Sequence, residues 1–356
     1  MVKYLQKLLW PFSLLYGGVT TARNFLYDKG IASSQQFELP VLAVGNLTVG
    51  GTGKTPHVEY LLRLLRSYRL ATLSRGYKRK SKGFILADER STASLLGDEP
   101  FQYHRDFPGV AVAVAESRVE GIQQIRQRVP GVEVVVLDDA MQHRPVKPSL
   151  LLMLTDFNRP FYEDLVLPAG LLRETRQGAS RADLVIVTKC PPALGQDQQE
   201  KISKRVKTYS KPGTPVFFSA FAYGAPVSFG AEAQLSKRIV LVTGIANASS
   251  LFQYLHSQGY DILQHLAFPD HHDYSQEDLL QLMQLLTTSR FSGAALMTTR
   301  KDAVKLAGEA LKDLTQELPF FYVPIEVQLL SGQHAFDELI LQHVRSFYKK
   351  GPSATV

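Results

Sequence analysis

The sequence has a single cysteine, Cys190, in 356 residues. One thiol permits no internal disulfide, which excludes a disulfide-stapled fold and suits a reducing compartment. No apolar run reaches the roughly 20 residues of a membrane-spanning helix. The nearest, "LLWPFSLLYGGV" from Leu8 to Val19, is short and broken by Pro11, Gly17 and Gly18. Lys3 and Lys7 before it resemble a signal-peptide start, but Pro11 interrupts the apolar region and Tyr16 and Arg23 fit poorly. Zinc-finger spacing, an RNA-binding signature and long Lys/Arg blocks are also missing, which makes nucleic acid the weakest partner for a chain of net charge +7. A nucleotide or a phospholipid surface remains as the anionic partner.

The residues present are those of an ordinary globular protein: 45% hydrophobic and 21% charged, with length enough for two cores. Apolar runs at Val41–Val44, Ala71–Leu73, Val110–Val114, Val134–Leu137, Leu150–Leu154, Leu184–Thr188 and Val216–Ser219 alternate with helical stretches. Their near-continuous hydrophobicity predicts a parallel sheet covered on both faces, so an α/β doubly wound domain. The pattern loosens from Phe221 to Arg238. It then resumes at Ile239–Ala246, Gly293–Thr299 and Phe320–Leu330, which predicts a second, smaller α/β domain. At the N-terminus Leu5, Leu8, Leu9, Phe12, Leu15, Tyr16 and Val19 form a stripe at helical spacing, with Trp10 as an interfacial anchor. A helix packed on the domain accounts for the same stripe.

After the first strand comes T-V-G-G-T-G-K-T: Thr48, Val49, Gly50, Gly51, Thr52, Gly53, Lys54 and Thr55. A phosphate-binding P-loop reads G-x-x-x-x-G-K-[ST], and here Thr48 stands where the first glycine would be. The context supplies what the pattern lacks, because an apolar strand precedes the loop and an amphipathic helix follows it. Glycine backbone freedom, the Lys54 charge and the Thr55 hydroxyl are what a nucleotide phosphate and its Mg²⁺ require. "VEVVVLDDAMQHR" is a buried strand ending in Asp138 and Asp139, the form of a segment that holds Mg²⁺. In "PDHHDY", four adjacent side chains cannot easily converge on one ion, so no metal is expected there.

"NLTVGGTGKTP", "LSRGYKRKSKG", "GDEP", "ESR", "DDAMQHR", "LPAGLLRE", "VTK", "DHHDY" and "TRKDAVKL" occur in that order. Together they resemble the tetraacyldisaccharide 4'-kinase family of Gram-negative bacteria, from the N-terminal helix to about Leu306. The resemblance implies two α/β/α domains joined by a β-stranded hinge. The first, 1–220, would be a P-loop kinase domain with a doubly wound, mainly parallel sheet and a membrane-docking helix at 1–28. The hinge would lie near 221–235 and 319–330 and the smaller domain at 236–330; beyond the resemblance, the residues themselves predict a last helix at 335–350 that could pack on either domain. The implied reaction moves the ATP γ-phosphate, with Mg²⁺, to the 4'-hydroxyl of a tetraacylated glucosamine disaccharide 1-phosphate. The product is lipid IVA, made at the cytoplasmic face of the inner membrane.

By the same resemblance Asp98 is the base, Glu99 lies near Mg²⁺ with Thr55, Asp138 and Asp139, and His271 steers Asp98 from across the cleft. Arg75, Tyr77, Arg118, His143 and Arg173 stand at substrate or phosphate positions, on ATP or on the lipid 1-phosphate. The basic run Tyr77–Gly83 would add attraction to anionic headgroups of about 1 kcal/mol per charge. One segment departs from the family: it usually reads T-E-K-D where this chain has Thr299, Arg300, Lys301 and Asp302. Two other readings compete, a soluble P-loop kinase of a small metabolite and a nucleotide-dependent switch. A base paired with His271 favours a kinase, and the amphipathic start favours a lipid.

Overall fold

The computed structural model describes residues 2–349. Among these residues fourteen strands fall into two sheets. The first contains β1 (Val41–Asn46), β2 (Leu70–Ser74), β3 (Ile85–Leu86), β4 (Ala111–Val114), β5 (Val134–Asp138), β6 (Leu150–Asp156), β7 (Leu184–Thr188) and β8 (Val216–Tyr223). The second contains β9 (Val227–Ser228), β10 (Arg238–Thr243), β11 (Asp261–Ala267), β12 (Ala295–Thr299) and β13 (Phe320–Val323), after which β14 (Ile325–Leu329) returns to the first. The orders are β14-β8-β7-β6-β1-β5-β2-β4-β3 and β11-β10-β12-β13-β9. Pairing is parallel except at β3, β9 and β14.

This order places the P-loop. From β1 the chain builds outward through β2 and β4, returns in β5 beside β1, then builds the other way through β6, β7 and β8. The reversal falls at β1, whose carboxyl end is therefore a crevice open to a ligand. Val41, Leu42, Ala43 and Val44 in β1 and Val134 to Leu137 in β5 are fully buried, as strands covered by helices on both faces must be.

Phe320–Leu330, taken as one apolar stretch, is divided by Pro324, and its halves lie in different sheets. A proline supplies no ladder N–H, so it suits the point where the chain leaves one sheet for the other. The two crossings touch: the Gly224 N–H donates to the Pro324 carbonyl at 2.9 Å. Strand β11, rich in half-exposed residues, has no continuous apolar signal and was not anticipated.

The last helix runs Gln333–Lys349, and Lys350, the end of the expected span, lies outside the described residues. Phe336, Ile340 and Val344, spaced one turn apart, bury in the core cluster shared with strands of the first sheet, the Phe336 ring standing edge-on to Phe217 and Tyr60. Each such side chain contributes about 1.5–3 kcal/mol of burial.

Candidate active site

The loop after β1 is shaped by two glycines with positive φ, Gly50 at 103° and Gly53 at 86°. At Gly53 a Cβ would also come within 2.6 Å of the Phe221 ring, so only glycine fits. The N–H groups of Gly50, Gly51 and Gly53 have no partner among the described residues. Lys54 opens the helix Lys54–Leu64, and its ammonium lies 3.4 Å from the Asn46 side-chain oxygen and 3.6 Å from Asp139. Thr48, where the usual pattern has glycine, is buried, and its hydroxyl accepts from the Asn46 amide at 3.2 Å. Val49 is tied down through its N–H to the Leu171 carbonyl at 2.8 Å. The loop thus offers free backbone donors and a lysine at a helix N-terminus, the requirements for binding a polyphosphate.

Two buried oxygens near the loop have no partner among the described residues, Oδ1 of Asp138 and Oγ1 of Thr52. A buried polar atom left so calls for a water, an ion or a ligand. Burial pushes the Asp138 carboxyl up to about 6, against the pull of Lys54 and with the push of Asp139 and Glu99. Its other oxygen accepts from the Tyr103 hydroxyl at 3.1 Å. The oxygens of Thr55, Glu99 and Asp138 are hard donors of the chemistry Mg²⁺ takes, although no three His, Cys, Asp or Glu side chains among the described residues converge on one point. Asp139 is differently engaged. Arg173 donates to both of its oxygens, at 2.8 and 3.0 Å, and Lys54 stands nearby. Burial would raise its pKa, but Lys54, Arg173 and Arg118 hold it below the usual carboxylate range.

The helix Asp98–Asp106 connects the parts of the cleft. It starts after Gly97, held at φ 91°, and its first turn carries Asp98 and Glu99. Tyr103 reaches Asp138, and Gln102 donates to Glu59 of the P-loop helix at 2.6 Å. From the second sheet His271, itself at φ 63°, brings Nδ1 to 2.9 Å from Asp98 Oδ2. Lys301 Nζ stands against the His271 ring, 3.1 Å from Nδ1 and 3.2 Å from Nε2, and lies 3.3 Å from Glu99, while Lys305 Nζ lies 3.4 Å from Asp98. Burial acts to raise the Asp98 pKa; the His271 hydrogen bond, Lys305 and Lys301 outweigh it and hold the carboxyl below its ordinary value.

Glu59 yields a test of this packing. Burial raises its pKa to about 7, opposed by Arg63, the Gln102 hydrogen bond and Arg300 and reinforced by Asp106. The folded state therefore keeps a proton that the unfolded chain releases above about 4.5, so stability falls as pH rises from there through 7. Glu59→Gln removes this penalty. Its melting temperature should gain on that of wild type between pH 5 and pH 8, and a pH-independent difference would mean Glu59 is ionised throughout.

The expected phosphate residues divide into three sets. Arg75 is exposed and has no polar partner among the described residues, and Tyr77 lies edge-on to His271 with centroids 5.3 Å apart. Arg118 is buried, its Nη1 and Nη2 donating to the carbonyls of Ala115, Glu116 and Asp138 while its Nε has no partner among the described residues. His143 accepts from the Arg118 N–H, and burial with the charges of Arg118, Arg23 and Arg75 pushes it down to about 4, so it is neutral. Arg173 is bound to Asp139 and Gln142. Sequence reasoning gave no role to Lys301, Lys305, Tyr103 or Gln102. The lysines were legible as an i, i+4 pair after the helix-capping Thr299, but what they face depends on the meeting of two sheets.

The N-terminal helix Val2–Asp28 touches this region along a narrow seam. Ser13 and Gly17, one turn apart, are buried against the body, and the Ser13 hydroxyl accepts from the Ala169 N–H at 2.9 Å. Leu8, Trp10, Phe12, Leu14, Leu15, Val19 and Phe25 are exposed, and the side chain of Leu5 lies outside the described residues. An apolar groove of about 710 Å³ runs beside the seam, lined by Leu14, Phe25, Leu26, Val166 and Thr175 among others. Among the described residues no helix is long and apolar enough to cross a membrane.

Residues 5–345 match the family model described as tetraacyldisaccharide-1-P 4'-kinase. The tetraacyldisaccharide 4'-kinase of Flavobacterium johnsoniae is 44% identical, over 96% of this chain and 98% of its own. The enzyme of that name from Bacteroides thetaiotaomicron is 43% identical, over 96% and 94%. The crystal structure of LpxK from Aquifex aeolicus in complex with ATP superposes with a TM-score of 0.74 at 30% identity, over 96% of this chain and 99% of that one.

Proposed function

The chain belongs to the tetraacyldisaccharide-1-P 4'-kinase family, and from that premise we propose how its residues perform ATP-dependent 4'-phosphorylation in lipid A biosynthesis. The observation that carries the assignment of roles is the helix Asp98–Asp106, which holds the carboxylate–imidazole pair at its first turn and is joined to the P-loop side through Tyr103 to Asp138 and Gln102 to Glu59. The N–H groups of Gly50, Gly51 and Gly53 and the Lys54 ammonium take the ATP phosphates. When bound at Thr55, Glu99 and Asp138, Mg²⁺ neutralises charge on those phosphates. Asp98 accepts the proton of the 4'-hydroxyl as its oxygen bonds to the γ-phosphorus, and the bond from that phosphorus to the β–γ bridging oxygen breaks to release ADP. His271 orients Asp98. Phosphoryl transfer demands little more than this positioning and charge compensation. Arg75, Tyr77 and Arg173 are left to grip phosphate groups, whereas Arg118 and His143 act by shaping the loops that carry the Mg²⁺ ligands.

Incubation with ATP, Mg²⁺ and extracted disaccharide 1-phosphate should give a lipid heavier by one phosphate, and chelation of Mg²⁺ should stop it. ATP hydrolysis with no lipid product would overturn the acceptor.

The lipid stays in the bilayer, so the enzyme works at its surface, docked through the N-terminal helix at the cytoplasmic face of the inner membrane. The support is the exposed apolar face set opposite the small residues Ser13 and Gly17. The two sheets then act as domains that close on the substrates about the crossings at Gly224 and Pro324. Replacing Phe12 and Leu15 together by Glu should lower sedimentation with anionic vesicles while leaving the melting temperature unchanged. Undiminished binding would reduce the helix to a packed one.

A further inference from the structure

The helices Asp98–Asp106 and Arg300–Leu306 meet across the two sheets and are charged at both ends of their contact. At one end Lys301 and Lys305 face Glu99 and Asp98. At the other, Arg300 donates through Nε to Asp106 Oδ2 at 3.0 Å and through Nη2 to Oδ1. The first residue of one helix thus pairs with the last of the other, and the fifth residue beyond Arg300 pairs with Asp98, so the helices run antiparallel and are pinned at two points. The Arg300 guanidinium also lies over the Tyr322 ring, 4.6 Å from its centroid, which fixes its plane. Both pair members are largely buried, with side chains 26% and 20% exposed. A forked, shielded pair of this kind has geometric force that an exposed lysine pair lacks.

We propose that Arg300 is a positioning residue for the reaction: by clamping Asp106 it sets the register of the second domain on the Asp98–Asp106 helix, so that His271 and Lys301 arrive at Asp98 and Glu99. The clamp rests on the reading of Asp98 as base, but it makes a separate demand. Arg300 touches neither the P-loop nor any residue assigned to substrate. Its loss should therefore lower turnover and spare ATP binding, because what it changes is the fraction of molecules with the pair assembled. The same helix is joined to the P-loop helix through Gln102 and Glu59, so the clamp holds a rigid neighbour rather than a loose surface turn.

The experiment compares Arg300→Glu, Asp106→Arg and the exchange Arg300→Asp with Asp106→Arg, each in the full chain. Turnover and KM for ATP are read alongside the distance between spin labels on the two domains. The single variants should lose about tenfold to a hundredfold in kcat, the cost of a misplacement on the scale of an ångström, with KM for ATP within about twofold. They should also broaden the distance distribution. The exchange should recover most of both. Wild-type turnover in Arg300→Glu, or an exchange no better than the singles, would overturn the clamp. Failure of the base reading shows elsewhere, as full activity in Asp98→Ala.

Discussion

Lys54→Ala should lose nearly all kinase activity while keeping the wild-type fold. The lysine stands at the N-terminus of its helix with no tight partner: Asn46 at 3.4 Å and Asp139 at 3.6 Å are long contacts for an ammonium. It is therefore free to move onto phosphate when ATP arrives, and its removal leaves developing negative charge uncompensated in a partly desolvated cleft. Loss of a single preorganised group aimed at such charge costs about 10²–10³ in rate. Folding should suffer little, since Asp139 retains Arg173 through two hydrogen bonds. The measurement is turnover at saturating ATP together with the melting temperature with and without nucleotide. An alanine variant with near-native turnover would remove the P-loop from the mechanism.

The parts of the site that follow one another along the chain were legible in the sequence. The P-loop needs only a strand, glycines, a lysine and a helix in succession, and the strand ending in Asp138 and Asp139 announces itself by its apolar run. The doubly wound sheet was equally plain, because buried parallel strands such as β1, β5 and β7 carry almost no polar residue. What stayed hidden depends on distant contacts. Nothing local marks Asp106 as the partner of Arg300, 194 residues away, or Gln102 as the partner of Glu59. Asp98 and His271 were joined only through the family resemblance, since an acidic loop and a run of histidines each look like surface. The unlike fates of Asp138 and Asp139 were also illegible. One is buried with an orphan oxygen and the other is tied to Arg173, a difference set by β5 ending between the two, with Asp139 turned to φ 49°.

Asp98→Ala should cut turnover by about 10²–10⁴, the range for a positioned base, with ATP affinity little changed. The carboxyl lies 2.9 Å from His271 Nδ1 and shares its helical turn with Glu99. Its depressed pKa keeps it ionised, and thus able to accept a proton, throughout the neutral range. His271→Ala should cost less, because Lys305 and Lys301 still hold the carboxylate from the other side. The informative quantity is the double variant. If His271 acts through Asp98, removing it from an enzyme that already lacks Asp98 should change little, since residues acting as a unit are strongly non-additive. A double-mutant cycle on kcat, at saturating ATP and lipid, measures that coupling. If the two losses multiply in full, His271 contacts substrate on its own account. In that case its hydrogen bond to Asp98 belongs to the docking of the two domains rather than to proton transfer.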